Sequence, residues 1–153
     1  MAAIGRNRAF RVSAAVCVVA LISLGIAVRG AAAHDASSDA RAQVTAVAEA
    51  LSAGDAVEAM AHFSKSMPEY EKLKGYFEGL SAFQVENQLN ITDEDDADTC
   101  VNLTIGWDIT LTDLGTDRSR RRTGEIHVKL APVDSKWRIV EFAPLDIFNP
   151  QVQ

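Results

Sequence analysis

The sequence has few of the residues from which disulfides, metal sites and cofactor motifs are built. It contains two cysteines, and Cys17 lies in an N-terminal apolar run, so Cys100 has no partner for an internal disulfide in the rest of the chain. The three histidines, at positions 34, 62 and 127, lack metal-ligand spacing. No phosphate-binding glycine loop and no Ser/His/Asp motif is present. We therefore predict neither a metal site nor a cofactor.

Basic residues are also scarce once the N-terminal segment is set apart. Four of the 15 lysines and arginines lie in residues 1–33, whereas none of the 21 acidic residues does. Residues 34–153 therefore carry 11 basic and 21 acidic side chains, a formal charge of −10. Because nucleic-acid binding depends on neutralising phosphates with cations, this balance argues against a nucleic-acid partner.

Residues 1–33 have the layout of an export signal. Three arginines precede an uncharged, mostly apolar run at 12–28, and three alanines end the segment. A basic start, an apolar stretch and small residues before a cleavage position are the parts of a secretory signal peptide. The apolar run also reaches the lower limit for a membrane-spanning helix, so a retained hydrophobic helix that anchors the chain in a membrane is the alternative. Both interpretations export residues 34–153, as a periplasmic, secreted or anchored domain.

Apolar residues at helical spacing predict three helices after a short polar linker at residues 34–40. Asp55 and Ser66 are each followed by glutamate three residues later, a capping pattern that predicts the starts of the second and third helices. The second helix is expected to run through Phe63. The residues that define the three apolar faces are Val44, Val47, Ala48, Leu51, Val57, Met60, Phe63, Tyr70, Leu73, Phe77 and Leu80.

Beyond the helices the apolar period changes to two, which is typical of strands. In residues 100–112 six apolar residues at odd positions alternate with polar residues and one glycine. Three helices followed by four strands predict an α+β domain with an antiparallel meander at residues 41–148, ending in a tail at 149–153. The predicted strands lie near residues 83–91, 100–112, 126–130 and 136–142.

The stretches LSAGDAVEAMAHF (51–63) and KWRIVEF (136–142), in this order of elements, resemble the nuclear transport factor 2-like superfamily, also called SnoaL-like or cystatin-like. The resemblance covers roughly residues 39–148. It implies helices packed on the concave face of a curved sheet, which together form a cone with a ligand pocket inside. It also implies dimers through the outer sheet face, and functions that range from isomerases, dehydratases and cyclases to binding subunits.

Enzymes of this superfamily place an acid or base inside the cone, so polar residues that interrupt the buried rows are the candidate site residues. Asn87 falls in the apolar phase of the first strand, and Glu141 shares the phase of Trp137 in the last. A buried Glu141 could act as a base, since burial raises a carboxyl pKa, with Asn87 as a hydrogen-bond donor. The alternative is that Asn87 marks a bulge or strand edge and that Glu141 lies outside the core. The predicted pocket residues are Asn87, Trp107, Trp137 and Glu141.

Two charged stretches are predicted as the first and second turns of the meander, at opposite ends of the sheet. The acidic stretch DEDDAD (93–98) is not an EF-hand calcium loop, because Asp98 stands where that loop needs glycine. The basic stretch LGTDRSRRRT (114–123) would lie about 40 Å away. It is a candidate contact for an anionic lipid surface or an acidic partner, or else a solvated hairpin tip. Its arginines are Arg118, Arg120, Arg121 and Arg122.

Three functions are compatible with these features. The first is an exported or membrane-tethered module that binds an apolar small molecule or a protein. Residues 12–28 would anchor it in the membrane if they are not cleaved. The second is a pocket enzyme of the isomerase, dehydratase or cyclase type that uses Glu141. The third is a structural homodimer built on the threonine-rich outer sheet face. No catalytic position of the superfamily can be matched residue by residue, which favours the first function over an enzyme.

Overall fold

Residues 100–112, which alternate strictly between apolar and polar side chains, form a strand, as the sequence predicts. In the computed structural model, which describes residues 36–97 and 99–151, strand β2 spans Cys100–Asp113. Each odd-numbered residue from 101 to 111 is at most 2% exposed, and the polar residues between them are half-buried on the opposite face. The predicted leader at 1–33 lies outside the described residues. No helix in the described ranges is long and apolar enough to span a membrane.

The four predicted strands form one antiparallel sheet in chain order, which confirms the meander. Strand β1 spans Phe83–Ala97, β3 spans Ser119–Val133 and β4 spans Lys136–Ala143. Residues 134 and 135 connect β3 to β4, both with positive φ, as the two central residues of a type I′ hairpin turn require. Strands β1 and β4 are the edges of the sheet.

Residues 93–97 of the acidic stretch belong to β1 and not to a turn, which corrects the sequence-based prediction. Asp95 pairs with Asn102 and Ala97 with Cys100, so pairing with β2 continues almost to the end of the stretch. Glu94 is only half-exposed, because Arg41 forms an ion pair with it at 2.6 Å. β1 meets β2 at the Cys100 end, and the connection at 114–118 leaves β2 at the Asp113 end, so the two connections lie at opposite ends of β2, as predicted.

Within the described residues, three helices precede the sheet. Helix α1 includes residues 36–52, so it extends into the segment that the sequence predicts as a linker. Helix α2 spans Ala56–Ala61, and the Asp55 carboxylate accepts a hydrogen bond from the Glu58 amide at 2.9 Å, as its capping pattern predicts. The start of α2 is therefore set by a local sequence signal.

Helix α2 ends before Phe63, and α3 begins later than its predicted cap. Ser64 donates its amide hydrogen to the Ile139 carbonyl oxygen at 2.8 Å, because residues 63–64 bridge to β4 and leave the helix. The hydroxyl of Ser66 pairs with that of Ser64 at 2.8 Å and caps no helix. Helix α3 spans Tyr70–Leu80 and follows a residue, Glu69, in the left-handed conformation.

The three helices pack on one face of the sheet, and aromatic side chains fill the space between the two layers. The Trp107 ring lies with its centroid 5.9 Å from that of Phe142 and 5.1 Å from that of Phe148. Phe148 belongs to a 3-10 turn, Asp146–Phe148, that follows the sheet and carries its side chain into this interior. Edge-to-face ring pairs of this kind add to the free energy gained by burial.

Candidate binding groove

Asn87 is half-buried at the meeting point of α1, β1 and β2. Its side-chain oxygen accepts a hydrogen bond from the Trp107 indole N–H at 2.9 Å. Its amide nitrogen donates to the Ala48 carbonyl and to the Ser52 hydroxyl, both at 3.0 Å. All of these groups belong to the protein itself. Asn87 therefore joins three elements of the fold and satisfies the polar atom of a fully buried tryptophan.

Glu141 is exposed on the outer face of the sheet, which corrects the inward position expected from its phase with Trp137. Ile139 pairs with Leu130 and Glu141 pairs with Lys129, so one extra residue, Val140, stands between two successive register positions. This bulge reverses the phase of β4. Phe142 consequently joins Ile139 in the core, and Glu141 has no access to the interior.

A concave surface lies at the rim of the domain. It is a groove of about 880 Å³, which we call the rim groove, between α2, residues 63–66, α3 and the β3–β4 hairpin. This volume is in the range that small-molecule sites occupy. Val57 lines it and is 83% exposed, the most exposed large apolar side chain among the described residues. The apolar lining consists of Ala56, Val57, Met60, Ala61, Phe63, Tyr70 and Val133.

Charged side chains surround this apolar floor. Lys74 is 3.9 Å from Glu78, so these two lining residues offset each other. The other lining cations, Lys65, Lys136 and Arg138, form no ion pair with any carboxylate of the described residues. Arg138 donates a hydrogen bond to the Ala61 carbonyl. Four cations and two carboxylates line the groove. They are Lys65, Lys74, Glu78, Asp134, Lys136 and Arg138.

A second, smaller groove of about 420 Å³ lies beside the first and contains His62. The imidazole Nδ1 bonds to the Gln43 side-chain oxygen at 2.7 Å, while Nε2 is buried 3.7 Å from the Glu58 carboxylate without a hydrogen bond. Burial lowers the pKa of His62, and Arg138 adds to this effect, whereas Glu58 opposes it. Trp137 lines this second groove. Of the four predicted pocket residues, it is the only one that lines either of the two grooves found among the described residues.

The four arginines of the predicted basic turn do not share one surface. Arg118 is exposed in the connection before β3, whereas the other three lie on that strand and point to alternate faces. On the outer face Arg121 forms an ion pair with Asp108 at 2.8 Å. Hydrogen bonds from Arg121 and from the Thr123 hydroxyl both lower the pKa of the Asp108 carboxyl.

The remaining two arginines, Arg120 and Arg122, face the C-terminal segment. Arg120 donates to the Pro150 carbonyl at 3.0 Å and stacks 5.0 Å from the Phe83 ring centroid. Arg122 donates to the carbonyls of Ile147, at 3.2 Å, and Asn149. Two cations of the predicted surface patch therefore hold the chain end that carries Phe148.

Sequence reasoning missed the residues of the rim groove because they come from segments far apart in the chain. Apolar spacing places Val57 and Met60 on one helix face, yet only Met60 is buried in the structure, and Val57 is 83% exposed. Lys65 and Lys136 belong to loop and hairpin positions without a motif. Among the described residues, no three His, Cys, Asp or Glu side chains form a group that could hold a metal ion.

No protein-family model matches the sequence, and no curated protein matches it. Similarity to known proteins is found at the level of structure. A conserved protein from Planctomyces limnophilus is 12% identical, covers 72% of this chain and 95% of its own, and superposes with a TM-score of 0.66.

Two further solved structures carry more informative names. A candidate scytalone dehydratase from Novosphingobium aromaticivorans is 14% identical, over 68% of this chain and 78% of its own, with a TM-score of 0.60. A nuclear transport factor 2-like superfamily protein from Salmonella enterica is 11% identical, over 71% and 89% of the two chains, with a TM-score of 0.59. At these identities the similarity concerns the fold and not the activity. The chain has the nuclear transport factor 2-like fold that its sequence resembles.

Proposed function

We propose that the domain is an exported or membrane-tethered binding module that takes a small molecule with an apolar body in the rim groove. The observation that carries this proposal is an open groove of about 880 Å³ with an apolar floor, beside an interior that aromatic side chains already occupy. Because burial of apolar surface drives the binding of small molecules, the exposed Val57 and the half-buried Tyr70 and Val133 are the expected contacts.

The interior supports this choice of site. A ligand inside the cone would have to displace Trp107, Phe142 or Phe148, each at most 3% exposed and packed against other rings. The residue expected to act as a base, Glu141, is exposed on the opposite face of the sheet. An acid and a base that converge on one cavity are the requirement for a pocket enzyme, and the described residues do not supply them there.

The test uses N-phenylnaphthylamine, a neutral apolar dye whose fluorescence rises in an apolar site. Val57→Glu puts a carboxylate on the apolar floor and should weaken dye binding by roughly fivefold or more, because the dye would have to desolvate that charge. Leu114→Glu is the matched control, since Leu114 is 65% exposed in the β2–β3 connection and outside the groove. Equal affinity of the two variants, or no binding to the wild type, would contradict the proposal.

A structural homodimer is the second candidate, and the filled interior favours it. Thr104, Thr110 and Thr112 lie on the outer face of β2, and the charged residue between them, Asp108, is paired with Arg121, so that two sheets could pack there without burying an unpaired charge from this strand. Light scattering of the exported domain tests this candidate. A monomer at all concentrations would exclude it, whereas a stable dimer whose dye binding is insensitive to Val57→Glu would favour it over the binding module.

Export itself is a proposal that depends on residues 1–33. Cells that express the full-length gene should direct the domain out of the cytoplasm, because the charged start and the apolar run have the parts of a signal or anchor. Intact mass and membrane fractionation distinguish the two forms. A chain that begins at Met1 in the membrane fraction indicates an anchor, a shorter soluble chain indicates cleavage, and an intact cytoplasmic chain contradicts export.

A further inference from the structure

The rim groove is lined by more cations than carboxylates, whereas the domain as a whole is negatively charged. Residues 34–153 carry a formal charge of −10, yet the groove is lined by four cations and two carboxylates. One lysine, Lys74, is offset by Glu78 at 3.9 Å. A local excess of cations on an acidic protein raises the local concentration of anions and repels other cations.

Three of the lining cations have no carboxylate partner among the described residues: Lys65, Lys136 and Arg138. Lys65 and Lys136 are exposed, and their long side chains can reach over the apolar floor. The remaining lining carboxylate is Asp134, in the β3–β4 turn. An apolar floor with unpaired ammonium and guanidinium groups at its edge matches a molecule with an apolar body and one anionic end.

We infer that the ligand of the rim groove is an amphipathic organic anion, whose apolar body contacts Val57 and Tyr70 and whose carboxylate, sulfonate or phosphate group contacts Lys65 and Lys136. This inference rests on the proposed binding function and specifies its ligand class. Arg138 contributes positive potential but is held by its hydrogen bond to the Ala61 carbonyl. The two lysines are therefore the side chains free to follow the anionic group.

The test compares two dyes that share one ring system, neutral N-phenylnaphthylamine and anionic anilinonaphthalene sulfonate. The wild type should bind the sulfonate about tenfold more tightly, from the modest contributions of several exposed ion pairs. The double variant Lys65→Gln/Lys136→Gln should reduce that preference to about threefold or less without changing the affinity for the neutral dye. Added salt should lower the preference in the same way, because it screens exposed charges.

A matched double variant controls for net charge. Arg118→Gln/Lys129→Gln also removes two cations, but neither side chain lines the groove. It should keep the preference of the wild type for the sulfonate. In the opposite direction, Asp134→Asn removes the remaining unpaired lining carboxylate and should strengthen sulfonate binding by about twofold; asparagine tolerates the positive φ of this position.

The outcomes separate this inference from the proposed function. If the neutral dye binds and Val57→Glu weakens it, but the sulfonate binds no more tightly, the ligand class is wrong and the groove stands. If both double variants lose the preference equally, the preference depends on the total charge of the domain and not on the groove lysines, and the inference fails. If neither dye binds the wild type, the groove proposal fails as well.

Discussion

Trp107, which is fully buried in β2, donates its indole N–H to the side-chain oxygen of the half-buried Asn87 in β1 at 2.9 Å. Asn87 also donates to the Ala48 carbonyl of α1, so one amide group links the helical layer to the sheet. The polar residue that interrupts an apolar row is thus a structural connection. An aromatic side chain with a polar atom can be fully buried when such a partner is available.

Asn87→Ala should destabilise the domain by about 2 kcal/mol, because it leaves the buried indole N–H of Trp107 without an acceptor. Urea unfolding, followed by tryptophan fluorescence, measures the change. Gln88→Ala is the control, since Gln88 is the next residue of β1 and is exposed. If the two variants unfold at the same urea concentration, Asn87 does not have this role.

Phe148→Ala should destabilise the domain by about 3–5 kcal/mol and leave an apolar cavity between the helices and the sheet. Phe148 is fully buried, with ring centroids 5.1 Å from Trp107 and 5.6 Å from Phe77, so its removal takes away several ring contacts. Benzene should then raise the melting temperature of the variant and not that of the wild type, because it fills a dry cavity.

Phe148→Leu provides a milder change if the alanine variant does not fold. It should unfold at an intermediate urea concentration and gain little from benzene, since leucine occupies most of the space. Equal stabilisation of the wild type and Phe148→Ala by benzene would show that the interior already has room for a ligand, and it would contradict the filled interior described here.

His62 should make the stability of the domain fall in weakly acidic solution. Burial lowers its pKa in the folded state, Glu58 partly offsets this, and Arg138 adds to it. Folding therefore favours the neutral form of His62. The contribution of this residue to the free energy of unfolding is complete above the ordinary histidine pKa of about 6.5. It is lost as the pH falls from that value through the lower pKa of the folded state, because protonation then favours unfolding.

His62→Gln should remove this decline, and unfolding free energies measured across that pH range provide the comparison. Glu58→Gln should deepen it, because the carboxylate that raises the pKa is gone. His127→Gln, on the outer face of the sheet, is the matched control. Identical pH dependence in wild type and His62→Gln would contradict the assignment.

The sequence predicts the parts of this fold that depend on local periodicity. The α+β class, the order of the strands and the alternation of β2 follow from apolar spacing and are confirmed. Glu141 was misplaced because the bulge at Val140 reverses the phase of β4, and a run with apolar residues on both faces gives no sign of such an insertion. The end of α2 was misplaced because pairing of residues 63–64 with β4 is a tertiary contact.

The candidate site was less accessible to sequence reasoning than the fold. Val57, Lys65 and Lys136 come from a helix, a loop and a hairpin, and only the folded chain brings them to one groove. The interior was expected to hold a ligand, but Phe148 enters it from a segment beyond the last predicted strand. Apolar residues near a chain end carry no periodic signal that would reveal such a contact.

Arg122→Met should loosen the C-terminal segment and destabilise the domain by about 1.5–3 kcal/mol, the contribution of hydrogen bonds from a charged donor. Arg122 donates to the carbonyls of Ile147 and Asn149, and burial lowers the pKa of its guanidinium, with Arg120 adding to the effect. Hydrogen exchange at the Phe148 amide should therefore accelerate in this variant. Arg121→Met removes the same atoms from the outer face of β3 and should leave that exchange rate unchanged. Equal acceleration in both variants would indicate general loss of stability, and would refute the view that Arg122 holds the segment in place.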